Sequence, residues 1–179
     1  FQTFKAEYIA GNDKERFEKL KKYEFSYNQF ANLSELSKKE DILFLSTPFD
    51  LESAKFLSNI QNFFKIASSD NIHRSILKYI ANFNKPILLS TGMISIDEII
   101  SSEKIITDTW QVNNVNPGLA LLHCVSSYPT PPEQTNLKAI TTLMEITFRY
   151  YDKTRHHGKR WFLDPIESLF TEMGDVIKI

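Results

Sequence analysis

Residues 119–133 decide the fold, and they read LALLHCVSSYPTPPE. An apolar run of strand length ends here in small hydroxyl residues, a tyrosine and three prolines. Because the run shows no polar alternation, it predicts a strand that is buried on both faces, as in a parallel sheet. The prolines prevent its continuation as strand or helix. His123, Ser126, Ser127 and Tyr128 should therefore lie at or just beyond the carboxyl end of a strand, where α/β enzymes carry their chemistry.

The composition is that of an ordinary globular domain. The 179 residues are 42% hydrophobic and 24% charged, with a net charge of -1. This balance predicts one domain and gives no general reason to expect nucleic acid or an anionic membrane surface as a partner. The single cysteine, Cys124, excludes an internal disulfide and a cysteine-cluster metal site, and it fits a reducing cytoplasm. No apolar run approaches the roughly 20 residues that a membrane-spanning helix needs.

Strands and helices alternate along the chain. Short apolar strands are predicted at 42–45, 63–67 and 86–89 and from Leu119 onward, and segments with helical periodicity lie between them. The alternation predicts an α/β fold of repeated βα units with a parallel sheet. A closed (β/α)8 barrel and an open doubly wound sheet both satisfy it. Neither a Gly-x-Gly-x-x-Gly motif nor a phosphate-loop lysine motif occurs in the sequence, which counts against a nucleotide-binding open sheet.

The remaining helical segments differ in how clearly the sequence predicts them. Ser95 and Glu98 have the spacing of a capping box and predict the start of a helix. Residues 104–117 carry only a weak pattern, whereas residues 136–148 are again helical.

Each of the four predicted strands ends in polar side chains, and Lys65 lies inside its strand. The polar side chains are Ser46, Thr47, Lys65, Ser68, Asp70, Ser90, Thr91, Ser126 and Tyr128. In a parallel barrel these strand ends meet at one rim, where hydroxyls and a lysine would bind a small phosphorylated or carboxylated anion. Each hydroxyl taken singly could instead cap a helix or a turn. Lys65 is harder to explain in that way, because a lysine within an apolar strand is costly unless it meets an anion or a carboxylate such as Asp70.

The histidines are weaker candidates. His123 at the end of an apolar run is expected to be a hydrogen-bonded core residue rather than a metal ligand. His156 and His157 lie in a polar stretch that predicts a solvated loop.

Five motifs occur in order along the chain: FQTFKA at 1–6, LSTPFD at 45–50, FKIASSD at 64–70, LSTGM at 89–93 and HCVSSYPTP at 123–131. Together they resemble the sialic acid synthase family, the bacterial synthases of N-acetylneuraminate, legionaminate and pseudaminate. The resemblance implies a (β/α)8 TIM-barrel catalytic domain followed by a small antifreeze-protein-like domain. It also implies condensation of phosphoenolpyruvate with an N-acetylmannosamine-type aldehyde sugar, dependence on a divalent metal, Mn²⁺ or Mg²⁺, and release of phosphate.

Carried over residue by residue, the resemblance assigns two substrate sites. The phosphoenolpyruvate contacts match Thr47, Lys65, Ser68 and Ser90, and the positions facing the acceptor sugar match Gln2, Asp70, Ser126 and Tyr128. Asp70 stands where many members have glutamate, Ser126 stands where some have asparagine, and Phe49 lies beside the pocket. A cation and hydroxyls suit the anionic phosphoenolpyruvate, while a carboxylate and a phenol suit sugar hydroxyls.

The family pattern is incomplete in this chain. The resemblance places the catalytic glutamate and one phosphoenolpyruvate-binding lysine ahead of Phe1, so the catalytic residue is unassigned. The strands whose histidines bind the metal do not follow Phe148, so no metal ligand is assigned. Because a (β/α)8 barrel typically needs about 250 residues, we expect residues 1–179 to be one TIM-barrel domain that is incomplete at the N-terminus and around residues 148–149. The antifreeze-like domain is not part of it, and we expect Phe148 and Arg149 to be far apart in space.

The resemblance further implies a cytoplasmic enzyme of bacterial cell-surface polysaccharide biosynthesis, acting as a homodimer without nucleic acid or membrane partners. Two alternatives stay open. One is another phosphoenolpyruvate-aldose condensing synthase, of the kind that makes octulosonate phosphates, against which the Ser-Ser-Tyr-Pro-Thr-Pro motif argues. The other is a non-catalytic remnant of such a barrel that binds an anion or a protein partner.

Overall fold

The computed structural model describes Glu15, Glu18, residues 21–127 and residues 129–153, with only the backbone for residues 148–153. Three parallel strands, in the order β1-β2-β3, form the sheet of this part of the chain. They are β1 (Phe64–Ile66), β2 (Ile87–Ser90) and β3 (Leu119–Leu122). The helices are α1 (Tyr27–Lys39), α2 (Leu51–Leu57), α3 (Arg74–Ala81), α4 (Ile96–Val112) and α5 (Ala139–Lys153), and two 3₁₀ turns span Ser68–Asp70 and Pro132–Gln134.

The two connections between the strands each contain a helix. α3 lies between β1 and β2, and α4 lies between β2 and β3. Parallel neighbours need such crossovers because a tight hairpin joins only antiparallel strands. The described sheet therefore consists of two successive βαβ units, and the predicted α/β fold with a parallel sheet is confirmed.

The outer face of the sheet carries the main hydrophobic core. Alternate strand residues point to opposite faces, and the set on the outer face packs against the apolar sides of α3 and α4. Trp110 of α4 is fully buried there, and its indole N–H donates to the carbonyl of Ala81 at 3.1 Å, at the end of α3. The core residues are Ala54, Leu57, Phe64, Ile66, Ile76, Leu77, Ile80, Ala81, Ile87, Leu89, Ile106, Trp110 and Leu119.

The inner face of the sheet carries a second, smaller apolar cluster. Phe63 and Leu88 are buried there, with Leu43, Leu45, Ala120 and Leu122 packed against them. Burial of β3 on both faces, as the sequence predicts, holds only for Leu119, since the remaining three residues of the strand are half-buried. The reason is that β3 is an edge strand of the described sheet, so no further strand covers it.

The strand predicted at residues 42–45 does not form. These residues run without a ladder of strand hydrogen bonds, although Phe44 joins the outer core while Leu43 and Leu45 join the inner cluster. The side chains therefore alternate as in a strand. The backbone bonds differ, because the amide of Ser46 donates to the side-chain oxygen of the buried Gln61 at 2.9 Å. A side chain thus supplies a bond that a neighbouring strand would otherwise make.

α4 is longer than the sequence suggests. It begins at the predicted capping box, with the Ser95 hydroxyl accepting from the Glu98 amide and the Glu98 carboxylate accepting from the Ser95 amide. It then continues through most of the weakly patterned segment 104–117. Threonine and aspartate residues weaken the helical pattern there, but burial of Ile106 and Trp110 against the sheet stabilises the helix.

α5 runs without interruption through Phe148 and Arg149. The expectation that these two neighbours lie far apart in space is therefore wrong, since consecutive helical residues rise by about 1.5 Å. The assignment of residues 1–179 to one incomplete barrel domain stays a prediction. None of the helices in the described part of the chain is long and apolar enough to cross a membrane.

We predict that Ser95→Ala lowers the free energy of unfolding by about 1 kcal/mol, the usual cost of losing an N-cap side chain. Urea denaturation of the chain measures it. Ser101→Ala is the matched control on the same helix, because the Ser101 hydroxyl makes no hydrogen bond within the described residues. Equal stability of wild type and Ser95→Ala would contradict the role of the cap.

Candidate functional site

The strand register places Lys65 and Ser90 on the same face of the sheet. Lys65 pairs with Leu88, and Ser90 follows Leu88 by two residues along β2. Since residues two apart in a strand face the same side, Lys65, Leu88 and Ser90 all belong to the inner face. Ser90 lies one row nearer the carboxyl ends of the strands than Lys65 does. A lysine side chain is long enough to reach that row, so the ammonium and the Ser90 hydroxyl can meet one ligand.

Lys65 is half-buried, and within the described residues it makes no hydrogen bond or ion pair. Its neighbours in the same row are the apolar Leu88 and Ala120. The alternative that Asp70 is its structural partner is wrong, because the ion pairs of the described chain join other residues on the surfaces of α1 and α4. An ammonium group in this position is stabilised best by an anion from outside the described chain.

Ser90 is buried, and its hydroxyl has no hydrogen-bond partner in the described part of the chain. A buried polar atom without a partner costs free energy, and such atoms are often found where a ligand completes the bonding. The next residue, Thr91, differs, because its amide and its hydroxyl both bond the carbonyl of Leu122, at 3.0 and 2.9 Å. Thr91 therefore closes the ladder between β2 and β3, and Ser90 keeps its hydroxyl available.

Ser68 links the ends of β1 and β2. Its hydroxyl oxygen accepts a hydrogen bond from the amide of Gly92 at 3.0 Å, which leaves the hydroxyl proton free to be donated. Gly92 is needed at this point, because a Cβ there would lie 3.0 Å from the Ser68 hydroxyl oxygen and 3.2 Å from the Cβ of Cys124. The segments that follow all three strands are thus in contact at the carboxyl end of the sheet.

Asp70 lies at the end of the 3₁₀ turn, two residues after Ser68. One of its carboxylate oxygens is buried and has no hydrogen-bond partner among the described residues. Burial raises the pKa of the Asp70 carboxyl above its ordinary value, while the charge of His73 and a hydrogen bond from Ser69 act in the opposite direction. A carboxyl group in this environment suits a ligand with hydroxyl groups, since these can donate to it.

The other predicted substrate contacts either have no described bond to Lys65 or Ser90, or lie outside the described residues. Thr47 is half-buried beyond residues 42–45, and no hydrogen bond of the described chain ties it to Lys65 or Ser90. Ser126 is exposed and makes no hydrogen bond within the described residues, and Phe49 is also exposed. Gln2 and Tyr128 lie outside the described residues. The structure thus brings together Lys65, Ser68 and Ser90, with Asp70 close in sequence, and leaves the remaining contacts as predictions.

The described residues do not supply a metal site. No three His, Cys, Asp or Glu side chains of the described chain are grouped so that they could hold an ion. The prediction for His123 is confirmed, because its Nε2 lies 2.6 Å from the carbonyl of Thr135 in a half-buried position. His156 and His157 lie outside the described residues. The Mn²⁺ or Mg²⁺ that the resemblance implies thus has no fitting ligand set here.

Sequence reasoning missed Asn71. This residue is fully buried, and its side-chain amide donates to the carbonyl of Ser90 at 2.6 Å. In the sequence it is one more polar residue in a loop after a strand. Its contact depends on where β1 stops relative to β2, and no local pattern reports that.

The comparison with known proteins settles the family. Residues 1–151 match the NeuB family. The chain belongs to the NeuB family. Among its relatives, an uncharacterized protein of Methanocaldococcus jannaschii is 40% identical over 147 residues, which is 82% of this chain and 42% of the relative. The N,N'-diacetyllegionaminic acid synthase of Campylobacter jejuni is 36% identical over 150 residues, which is 82% of this chain and 44% of that enzyme.

A solved structure of a related enzyme matches the fold of this NeuB family chain. The crystal structure of N-acetylneuraminic acid (sialic acid) synthetase from Leptospira borgpetersenii, in complex with citrate, matches with a TM-score of 0.72 and 36% identity. The match covers 81% of this chain and 49% of that one. The chain thus spans less than half the length of each of these three relatives.

The raised pKa of the Asp70 carboxyl gives a pH-dependent stability. The folded state holds the proton more tightly than the unfolded chain, so stability falls as pH rises from the ordinary value of 3.8 through the folded pKa. Above that range the cost of ionisation is fully present. We predict that Asp70→Asn unfolds at a higher denaturant concentration than wild type at neutral pH, and that the difference shrinks as pH falls towards 3.8.

Urea denaturation across this pH range measures the effect. Glu133→Gln is the control, because Glu133 is exposed and makes no hydrogen bond or ion pair within the described residues. An Asp70→Asn difference that is equal at all pH values would show that the carboxyl does not change its proton affinity on folding.

Proposed function

We propose that the complete protein condenses phosphoenolpyruvate with an N-acetylmannosamine-type aldehyde sugar to give a sialic acid-like nonulosonate and phosphate. Membership of the NeuB family supports this reaction, as do relatives that are synthases of legionaminic and sialic acids. The observation that carries the proposal is the half-buried Lys65, which has no partner in the described chain and shares the inner face with the unpartnered hydroxyl of Ser90.

Each group of the candidate site has a part in holding phosphoenolpyruvate. Lys65 offers a positive charge to the phosphate or the carboxylate, and a charge-assisted bond is about twice as strong as a neutral one. Ser90 and Ser68 each offer a hydroxyl proton, since neither hydroxyl donates to a partner within the described residues. Together they fix the enol ester, so that its methylene carbon can attack the aldehyde carbon of the sugar. Water then adds at the neighbouring carbon, and phosphate leaves.

The acceptor sugar would lie on the side of Asp70. Its partly buried carboxylate has an oxygen without a described partner, which a sugar hydroxyl could satisfy. Gln2, Ser126 and Tyr128 remain assigned to the sugar by resemblance alone, and Thr47 remains so assigned to phosphoenolpyruvate. The divalent metal also remains a prediction, because its ligands would have to come from outside the described residues.

We further propose that β1, β2 and β3 are three successive strands of a (β/α)8 barrel. Helices cover the outer face, and the inner face presents rows of side chains such as Lys65, Leu88 and Ala120. Barrel interiors are filled by such layers, with the active site at the carboxyl ends of the strands. A cytoplasmic homodimer belongs to the same proposal and rests on the family resemblance.

One observation favours a second candidate, the non-catalytic remnant. By the resemblance, the motifs whose histidines bind the metal should follow Phe148, and the sequence does not contain them there, as expected if those strands had been deleted. Phosphate release decides between the two. The full-length gene product, incubated with phosphoenolpyruvate, an N-acetylmannosamine-type sugar and Mn²⁺, should release phosphate only when both substrates are present. No release above the enzyme-free rate would support the remnant.

We predict that Lys65→Met weakens phosphoenolpyruvate binding by the full-length protein about tenfold to a hundredfold, because a hydrogen bond to a charged group contributes roughly 1.5–3 kcal/mol. Methionine keeps the stem of the side chain and removes the charge, so the variant should fold. Titration calorimetry with phosphoenolpyruvate measures the change. Lys78→Met is the matched control, since Lys78 is exposed on α3 and its side chain makes no ion pair within the described chain. Wild-type affinity in Lys65→Met would make Lys65 structural and the anion site wrong.

A further inference from the structure

The hydrogen-bond ladder between β1 and β2 stops before β2 ends. It begins where the Phe64 amide donates to the carbonyl of Pro86 at 2.8 Å, and its last strand pair is Ile66 with Leu89. Carbonyls two residues apart in a strand point the same way, so the carbonyl of Ser90 also faces the side of β1. β1 has already turned into the 3₁₀ segment Ser68–Asp70 at this height. The Ser90 carbonyl therefore has no main-chain donor from β1 and needs another hydrogen-bond donor.

Asn71 provides the replacement. Its side-chain nitrogen lies 2.6 Å from the carbonyl oxygen of Ser90, and the contact is buried. Because a carbonyl can only accept, the contact also fixes which end of the Asn71 amide faces Ser90. Asn71 has no exposed surface. The side chain is thus held in one position at the carboxyl end of β2.

A second bond holds Asn71 from the side of α4. The hydroxyl of Ser102, which is itself buried, donates to the backbone carbonyl of Asn71 at 2.6 Å. The backbone N–H of Asn71 in turn donates to the backbone carbonyl of Ser68 at 3.4 Å. Asn71 therefore connects three parts of the site: the turn after β1, the end of β2 and the helix behind them.

We propose that Asn71 is a positioning residue for the anion site. It fixes the backbone of Ser90 and thereby aims the Ser90 hydroxyl at the anion that Lys65 holds. The inference rests on the proposed binding of phosphoenolpyruvate. Ser90 is the link because the position of its Cα sets where its hydroxyl can reach, and because that hydroxyl has no partner of its own among the described residues. Without the Asn71 bond, the Ser90 carbonyl would lose its donor on the β1 side, and the end of β2 would keep only its ladder bonds, among them those of Thr91 to Leu122.

A double-mutant cycle on the full-length protein tests the proposal, with phosphoenolpyruvate affinity measured by calorimetry. Asn71→Ala should weaken binding by about tenfold, within the roughly hundredfold that a misplacement of about 1 Å can cost. Ser90→Ala should weaken it as well. If Asn71 acts through Ser90, the double variant should bind as Ser90→Ala does, because removal of the hydroxyl leaves nothing to aim.

A matched control separates positioning from loss of stability. The buried Ser34 hydroxyl donates to the carbonyl of Ile60 at 2.7 Å, a bond of the same kind on α1. Ser34→Ala should lower the stability of the protein and leave phosphoenolpyruvate affinity unchanged. In turnover, Asn71→Ala should raise KM for phosphoenolpyruvate with kcat unchanged, the pattern of lost ground-state binding. A purely structural role would reduce the amount of active enzyme and leave KM as it is.

Two results would overturn the positioning role while the proposed function survives. One is wild-type affinity in Asn71→Ala together with weak binding in Ser90→Ala, and the other is strictly additive effects in the double variant. Wild-type affinity in Ser90→Ala would overturn the assignment of Ser90 to the anion site and the role of Asn71 with it. If Asn71→Ala does not fold, Asn71→Ser takes its place in the cycle, and the same outcomes decide.

Discussion

The parallel register of β1, β2 and β3 is the constraint on which the rest of the described structure depends. It aligns Phe64, Ile87 and Leu119 towards the helices, and by alternation it turns Lys65, Leu88 and Ala120 to the other face. A slip of β1 by one residue relative to β2 would turn Lys65 into the hydrophobic core, at a large cost in free energy. The apolar core under α3 and α4 thus selects the register, and the register places Lys65 in the row below Ser90. Packing and the candidate chemistry depend on the same alignment.

Much of the fold could be predicted from the sequence, because the relevant signals are local. The apolar runs at 63–67, 86–89 and from Leu119 each contain an observed strand, and Ser95 marks the start of α4 as its spacing with Glu98 indicates. The segment 42–45 has the same apolar pattern and forms no ladder, and the amide that follows it, that of Ser46, bonds the side chain of Gln61 instead of a strand. The weak pattern of 104–117 did not predict that the helix begun at Ser95 continues to Val112, where tertiary packing stabilises it. Both errors arise from contacts between residues distant in sequence or across elements.

The residues of the candidate site also differ in whether local sequence signals reveal them. A lysine inside an apolar strand is unusual enough to be noticed without a structure, and the strand-end serines follow from the position of the strands. The role of Asn71 does not, since it depends on β1 ending one row below Ser90. Nor does the need for Gly92, which comes from the approach of Ser68 and Cys124 from two other segments. Pairing of Asp70 with Lys65 was one open alternative for two opposite charges five positions apart, but no ion pair joins them among the described residues.

We propose that the carboxyl ends of these parallel strands form one anion-binding site around Lys65 and Ser90. A crystal structure of the full-length protein with phosphoenolpyruvate tests it most directly. We predict that a phosphate or carboxylate oxygen of the ligand lies within hydrogen-bond distance, about 2.7–3.2 Å, of both the Lys65 ammonium and the Ser90 hydroxyl. A ligand bound elsewhere, with the Lys65 ammonium paired to a protein carboxylate and the Ser90 hydroxyl bonded within the protein, would contradict it.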